Sequence, residues 1–173
     1  MAIPSFNVLV VFCIATNIVR LIYEILKHKK LLLPNKISFL VILFNMLLLW
    51  SSWFLLCSSD PFIISLPRII NYFGLLLVII GVVLFLTALF TIKSLETYVG
   101  DLITAGIYSV IRHPMYLAFI FWLLGLPIYF EGLYSLILAV LFIINVLFWK
   151  HLEEIELIKR FAGYVDYKKH TLF

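Results

Sequence analysis

Two short stretches of this 173-residue chain hold most of the side chains that could do chemistry. The first reads Gly100-Asp101-Leu102-Ile103-Thr104-Ala105-Gly106-Ile107-Tyr108-Ser109-Val110-Ile111-Arg112-His113-Pro114-Met115-Tyr116. Proline suits the first turn of a helix, where its missing N–H costs nothing, so a helix should begin at Pro114 with His113 near its cap. The free amides of Met115, Tyr116 and Leu117 then point outward at the positive end of the helix dipole. With Arg112 and His113 beside them, they form an anion site. A plainer reading gives Arg112 and His113 to lipid phosphates.

The second stretch reads Lys150-His151-Leu152-Glu153-Glu154-Ile155-Glu156-Leu157-Ile158-Lys159-Arg160-Phe161. A carboxylate pair, Glu153 and Glu154, beside an anion-binding helix start suits a zwitterionic or cationic ligand. Leu152, Ile155, Ile158 and Phe161 recur every three residues, which predicts an amphipathic helix lying on the membrane or on the rest of the protein. His151 and one glutamate at helical spacing supply two ligands, too few for a metal site, so no metal is expected. There is no Gly-x-Gly-x-x-Gly, phosphate loop, Gly-x-Ser-x-Gly or His-Glu-x-x-His.

The elements that must position these stretches are set by composition. The chain is 65% hydrophobic and 13% charged, against about half and about a quarter in a soluble domain. Its apolar residues fall in blocks of about 5–27, 37–59, 69–92, 114–130 and 133–149. The first three are long enough to cross a bilayer, and the last two sit at the lower limit. Only Glu131 and Gly132 separate the last two blocks. A Glu-Gly pair in mid-bilayer is costly, so a tight hairpin is expected there. The fold class is therefore all-α: a polytopic membrane bundle of about five spans with a cytosolic amphipathic C-terminal helix, in a single domain over 1–173. Cys13 and Cys57 lie inside apolar blocks and read as packing residues.

Of the 13 Lys and Arg, 11 lie outside the blocks, which points to anionic lipid headgroups rather than nucleic acid. Lys27, Lys29, Lys30 and Lys36 mark the first connection as cytosolic; Lys93 and Arg112 mark the third. Lys150, Lys159, Arg160, Lys168 and Lys169 do the same for the tail, leaving the amino terminus outside. Any chemistry must be built from residues 93–116 and 150–171, laid against the helix ends. Asn17, Arg20 and Glu24 share one face of the first block. They form either a polar pathway or, more simply, an Arg20–Glu24 pair that snorkels to the interface. Gly74, Gly81 and Ala88 form a packing groove on the third block.

Gly-x-Tyr-x-x-x-Arg-His-Pro-x-Tyr at the start of a span is followed, after a hairpin, by Glu-Glu-x-x-Leu-x-x-x-Phe and Tyr-x-x-Tyr-Lys-Lys. Over about residues 100–171 this resembles the isoprenylcysteine carboxyl methyltransferase and phospholipid methyltransferase superfamily. The resemblance implies an S-adenosylmethionine-dependent membrane methyltransferase whose acceptor is a lipid or lipid-like amphiphile. Carried over residue by residue, its cofactor contacts fall on Gly100, Asp101, Leu102, Ile103, Tyr108, His113, Pro114, Met115, Tyr116 and Glu153. Candidates for a catalytic role are Arg112, Lys150 and Glu154.

The chain departs from the family pattern at Gly100, where the family often has histidine or a similar polar residue. Phe161-Ala162-Gly163-Tyr164 is also one residue short, and Trp149 stands where the prenylcysteine branch has arginine. An aromatic there favours a neutral or amine head over a carboxylate. Two other classes compete with this reading: a non-catalytic membrane assembly protein, and a nicotinamide-dependent membrane reductase of related architecture.

Overall fold

The structure is a computed structural model that describes residues 5–32, 35–92 and 101–173. Its helices are α1 (Phe6–His28), α2 (Lys36–Ser58), α3 (Arg68–Ile92), α4 (Pro114–Tyr129), α5 (Leu133–Arg160) and α6 (Tyr164–His170). A 3-10 turn, Gly106–Ser109, precedes α4. α1, α2, α3 and α5 are long and apolar enough to cross a membrane, and α4 is a shorter apolar helix of 16 residues. Among the described residues there is no strand, only isolated bridges. The all-α membrane bundle follows from the apolar blocks as expected.

Local chemistry sets the helix boundaries. Asn35 caps α2 in a reciprocal box with Ser38, satisfying the amides of Asn35, Ile37 and Ser38, which would otherwise lack partners. Pro114 opens α4 as its fixed backbone angle favours. The expected hairpin is present: the chain turns between Tyr129 and Leu133, with Glu131 at a φ of 60°. The second connection ties the turn down. The buried Asp60 carboxylate accepts from the Ser135 backbone amide at 2.7 Å and its hydroxyl at 2.9 Å, capping α5 from outside the helix. Glu131 accepts from Asn71 Nδ2 at 2.7 Å.

The tail differs from expectation. Residues 150–160 are no separate amphipathic helix but the last turns of α5, because Leu133 to Arg160 contains neither glycine nor proline to break it. The break comes at Ala162-Gly163, and the seven-residue α6 follows. The predicted stripe is not the buried face either. Ile158 is exposed, and Glu154 is the residue turned inward.

α3 packs against α4 through small residues. A Cβ on Gly74 would stand 2.7 Å from the Tyr129 backbone nitrogen, and one on Gly125 would stand 2.7 Å from the Gly74 carbonyl oxygen. Ala88 is fully buried on the same helix. Gly125→Val is therefore expected to lower the unfolding free energy by about 1–3 kcal/mol, the usual cost of overpacking. Thermal unfolding in detergent would show it, and an unchanged midpoint would refute the close contact.

Polar side chains join α1 to its neighbours. Cys13 Sγ donates to Ser52 Oγ at 3.2 Å, Asn45 Nδ2 to the Thr16 carbonyl at 3.1 Å, and Asn145 Nδ2 to Asn17 Oδ1 at 3.4 Å. Both cysteines are buried and unpaired, in keeping with a packing role. Arg20 pairs with Glu24 as expected. It does not snorkel away from the bundle, however. Its guanidinium lies over the rings of Trp149 and Tyr23.

Candidate functional site

The start of α4, the end of α5 and α6 meet at one end of the bundle. They are held there by the last residues of the chain. Leu172 N donates to the Val110 carbonyl at 2.8 Å, and Arg112 N to the Leu172 carbonyl at 3.0 Å. This parallel bridge of Ile111 with Leu172 lays the tail along the loop. The Arg112 side chain reinforces it, with Nη1 donating to the carbonyls of Lys168 at 3.0 Å and Thr171 at 2.5 Å. The Tyr167 hydroxyl donates to the Tyr108 carbonyl. Arg112 is thus spent on the tail, not on an open anion site.

Glu154 is the centre of this junction. Its side chain is 10% exposed; Oε2 lies 2.7 Å from Lys168 Nζ, and Oε1 lies 3.5 Å from both Arg112 Nε and His113 Nε2. A buried carboxylate needs such company. His113, also buried, has Nε2 3.1 Å from the Tyr164 hydroxyl and Nδ1 3.7 Å from Glu153 Oε2. The imidazole therefore sits between the two glutamates and makes no side-chain cap to α4. Burial pushes the phenols of Tyr108 and Tyr164 well above their ordinary pKa, so both stay neutral donors at physiological pH.

Glu153 is engaged quite differently. Its side chain is 45% exposed, and its ion contact is the long one to His113. Tyr116 lies against it, and Tyr116 is itself within electrostatic reach of Glu24 and Arg20 of α1. Beside it begins α4. The expectation of three open amides is corrected at this point, because Leu117 N donates to the His113 carbonyl at 3.1 Å. Among the described residues, no backbone carbonyl takes the amides of Met115 or Tyr116. Two donors remain for an anion.

The other expected residues are less central. Asp101 is exposed and Leu102 and Ile103 are half-buried, and none of the three joins this cluster by a hydrogen bond or ion pair. Gly100 and the expected cofactor segment from 93 to 100 lie outside the described residues. Lys150 turns to the tail, its Nζ 4.0 Å from the centre of the Phe173 ring. The sequence placed neither Tyr164 nor Lys168 in the site, although Tyr-x-x-Tyr-Lys-Lys was the signal that could have found them. Among the described residues no cluster of three metal-ligating side chains occurs.

A cavity of about 280 Å³ lies within the bundle, framed by α1 to α5. Its walls are apolar apart from Asn17 and the indole N–H groups of its tryptophans, and the lining runs from Trp53 and Leu123 to Phe119 and Trp149 near the cluster. Charged cluster and apolar cavity are neighbours: Trp149 lines the cavity one turn before Glu153.

Residues 69–163 match the phospholipid methyltransferase family. The chain is also similar to the protein-S-isoprenylcysteine O-methyltransferases of Rattus norvegicus, at 32% identity, and Mus musculus, at 31%. Each match runs over 138 residues, 70% of this chain and 47% of the relative. The chain thus spans about half the length of the curated relatives it matches. No solved structure matches it.

Proposed function

The chain belongs to the phospholipid methyltransferase family, and on that premise we propose that it methylates a membrane amphiphile, with S-adenosylmethionine as methyl donor. One juxtaposition carries the reading: a half-exposed carboxylate, Glu153, and the open amides of Met115 and Tyr116 lie about one helical turn from Trp149, Ala118 and Phe119, which line an apolar cavity. The residues fit the donor. Its methionine end is a zwitterion, and the amides of Met115 and Tyr116 would take the carboxylate at the positive end of α4. Glu153 would accept from the amine or the ribose hydroxyls. When bound, the cofactor supplies an electrophilic methyl on a sulfonium.

The protein's own contribution is to align, to exclude water and to hold charge. Tyr108 and Tyr116 close over the donor's site, and the tail laid along residues 110–112 keeps bulk water from His113 and Glu154. Glu154 and Arg112, bound to each other and to the tail, act as positioning residues for His113. The cavity takes the apolar chain of the acceptor, which enters sideways from the bilayer and brings its head to Trp149. Alignment of two bound reactants then supplies most of the rate advantage. In our reading the whole is one membrane domain, with the site end cytosolic and the amino terminus outside, as the lysines flanking α1, α2 and α5 favour.

S-adenosylhomocysteine and NADPH separate this reading from a nicotinamide reductase. Present at 100 times its dissociation constant, the true ligand should add about 2.7 kcal/mol of stability. Detergent-purified protein is expected to gain thermal stability with S-adenosylhomocysteine and not with NADPH. The reverse result, or no shift with either, would overturn the assignment.

A further inference from the structure

The Arg20–Glu24 pair of α1 lies outside residues 69–163 of the family match and is not among the residues proposed above to hold the methyl donor. Its surroundings are specific. The Arg20 guanidinium sits 5.5 Å from the centre of the Trp149 ring, with its side chain 13% exposed. Nη2 holds Glu24, while Nε is buried and has no hydrogen-bond partner. Trp149 is 2% exposed and lines the cavity, and its Nε1 is likewise unpartnered. Asn17, one turn before Arg20, lines the same cavity. The other unpartnered indoles of the lining, Trp53 and Trp122, stand further from the charged end.

These groups define a ligand by what they lack. Both are buried donors without acceptors, and one is permanently cationic. An amine head is disfavoured beside them by like-charge repulsion, because the protein's own cation already lies 5.5 Å from the centre of the Trp149 ring. A guanidinium presents five N–H donors in a fork, so it can keep Glu24 on one edge and take a second oxyanion on another. Glu24 meanwhile spares the bundle an unpaired buried charge.

We propose that Arg20, with Trp149 Nε1 beside it, receives the anionic oxygen of the acceptor's head, which makes α1 the specificity element of the site. The inference rests on reading the cavity as the seat of the acceptor's chain. It reverses the preference drawn from Trp149 alone: the cation that position 149 lacks comes from α1. The shared chemistry is an oxyanion on an apolar chain, whether carboxylate or phosphate.

The test is calorimetric titration of the purified full chain with three probes sharing one chain: N-acetyl-S-farnesylcysteine, its carboxamide, and farnesyl phosphate. S-adenosylhomocysteine is titrated alongside. The wild-type protein should bind one or both oxyanions about tenfold or more tightly than the amide, the scale of a hydrogen bond to a charged group. Arg20→Met should bring the three within about twofold, Arg20→Lys should restore part of the preference, and neither should change S-adenosylhomocysteine affinity. A preference for carboxylate alone or phosphate alone identifies the source of the oxyanion and supports the proposal. Equal affinity for all probes in the wild-type protein overturns it, even if Arg20→Met fails to fold, and so does a preference that survives in Arg20→Met. Absence of S-adenosylhomocysteine binding would instead defeat the methyl-donor reading, while the oxyanion comparison would still be scored.

Discussion

Glu154→Ala is expected to cost about 3–5 kcal/mol of unfolding free energy, the range for removing one member of a buried charge pair. The substitution leaves the Arg112 guanidinium, 9% exposed, without its carboxylate, and takes from His113 one of the two glutamates that flank it. Lys168 adds less, because its side chain is 43% exposed and water screens that bond. The loss should appear as a lower thermal midpoint and as proteolysis of the tail at lower temperature, since Arg112 holds the carbonyls of Lys168 and Thr171. Glu154→Gln keeps the shape and removes the charge, and should fall between. A midpoint within experimental error of wild type in Glu154→Ala would mean that the carboxylate does not hold this junction.

The neighbouring glutamate should behave in the opposite way. Glu153→Ala is expected to leave the thermal midpoint nearly unchanged, because the side chain is 45% exposed and its ion contact is a 3.7 Å approach to His113. Its effect should fall on ligand binding. Loss of hydrogen bonds to a charged group weakens affinity by about 1–3 kcal/mol, roughly 5- to 150-fold. Isothermal titration of S-adenosylhomocysteine would measure this, with methyl transfer at subsaturating donor falling by a similar factor. If affinity stays unchanged while Glu154→Gln abolishes it, then Glu154 holds the donor and Glu153 does not.

That pair also marks the limit of what the sequence reveals. One residue along a helix is a rotation of about 100°, so two adjacent glutamates meet different surroundings even where both flank His113. Only the packing of α5 against α4 and α6 decides that Glu154 turns inward. The three-residue stripe from Leu152 to Phe161 suggested the other face as the buried one, since apolar periodicity ignores a carboxylate with cations waiting for it. Local signals fared better. Pro114 opens a helix, Glu131-Gly132 makes a hairpin, and Gly74 and Gly81 meet α4, each for reasons contained within a few residues. The contacts that finish the site join residues far apart in the chain: Arg112 with Thr171, His113 with Tyr164, Arg20 with Trp149. No spacing rule reaches across such separations, and the resemblance supplied His113, Glu153 and the candidates Arg112 and Glu154 without their wiring and without Tyr164 and Lys168.

α4 is 16 residues long, about 24 Å at the usual rise per residue, whereas the hydrocarbon layer is about 30 Å thick. Its far end is pinned at the Glu131 turn by Asn71, and its flank by the glycine contacts with α3, so it cannot tilt or slide freely to hide the mismatch. On the proposed reading, in which α4 is one of the spans, the shortfall would be met at the other end, by local thinning of the leaflet around Pro114. A lipid acceptor arriving there would find its headgroup region drawn down toward His113 and Glu153. Transfer would then require no extraction of the acceptor from its leaflet, and the rate should respond to bilayer thickness: membranes of shorter acyl chains should favour turnover, and thick, sterol-rich ones should slow it.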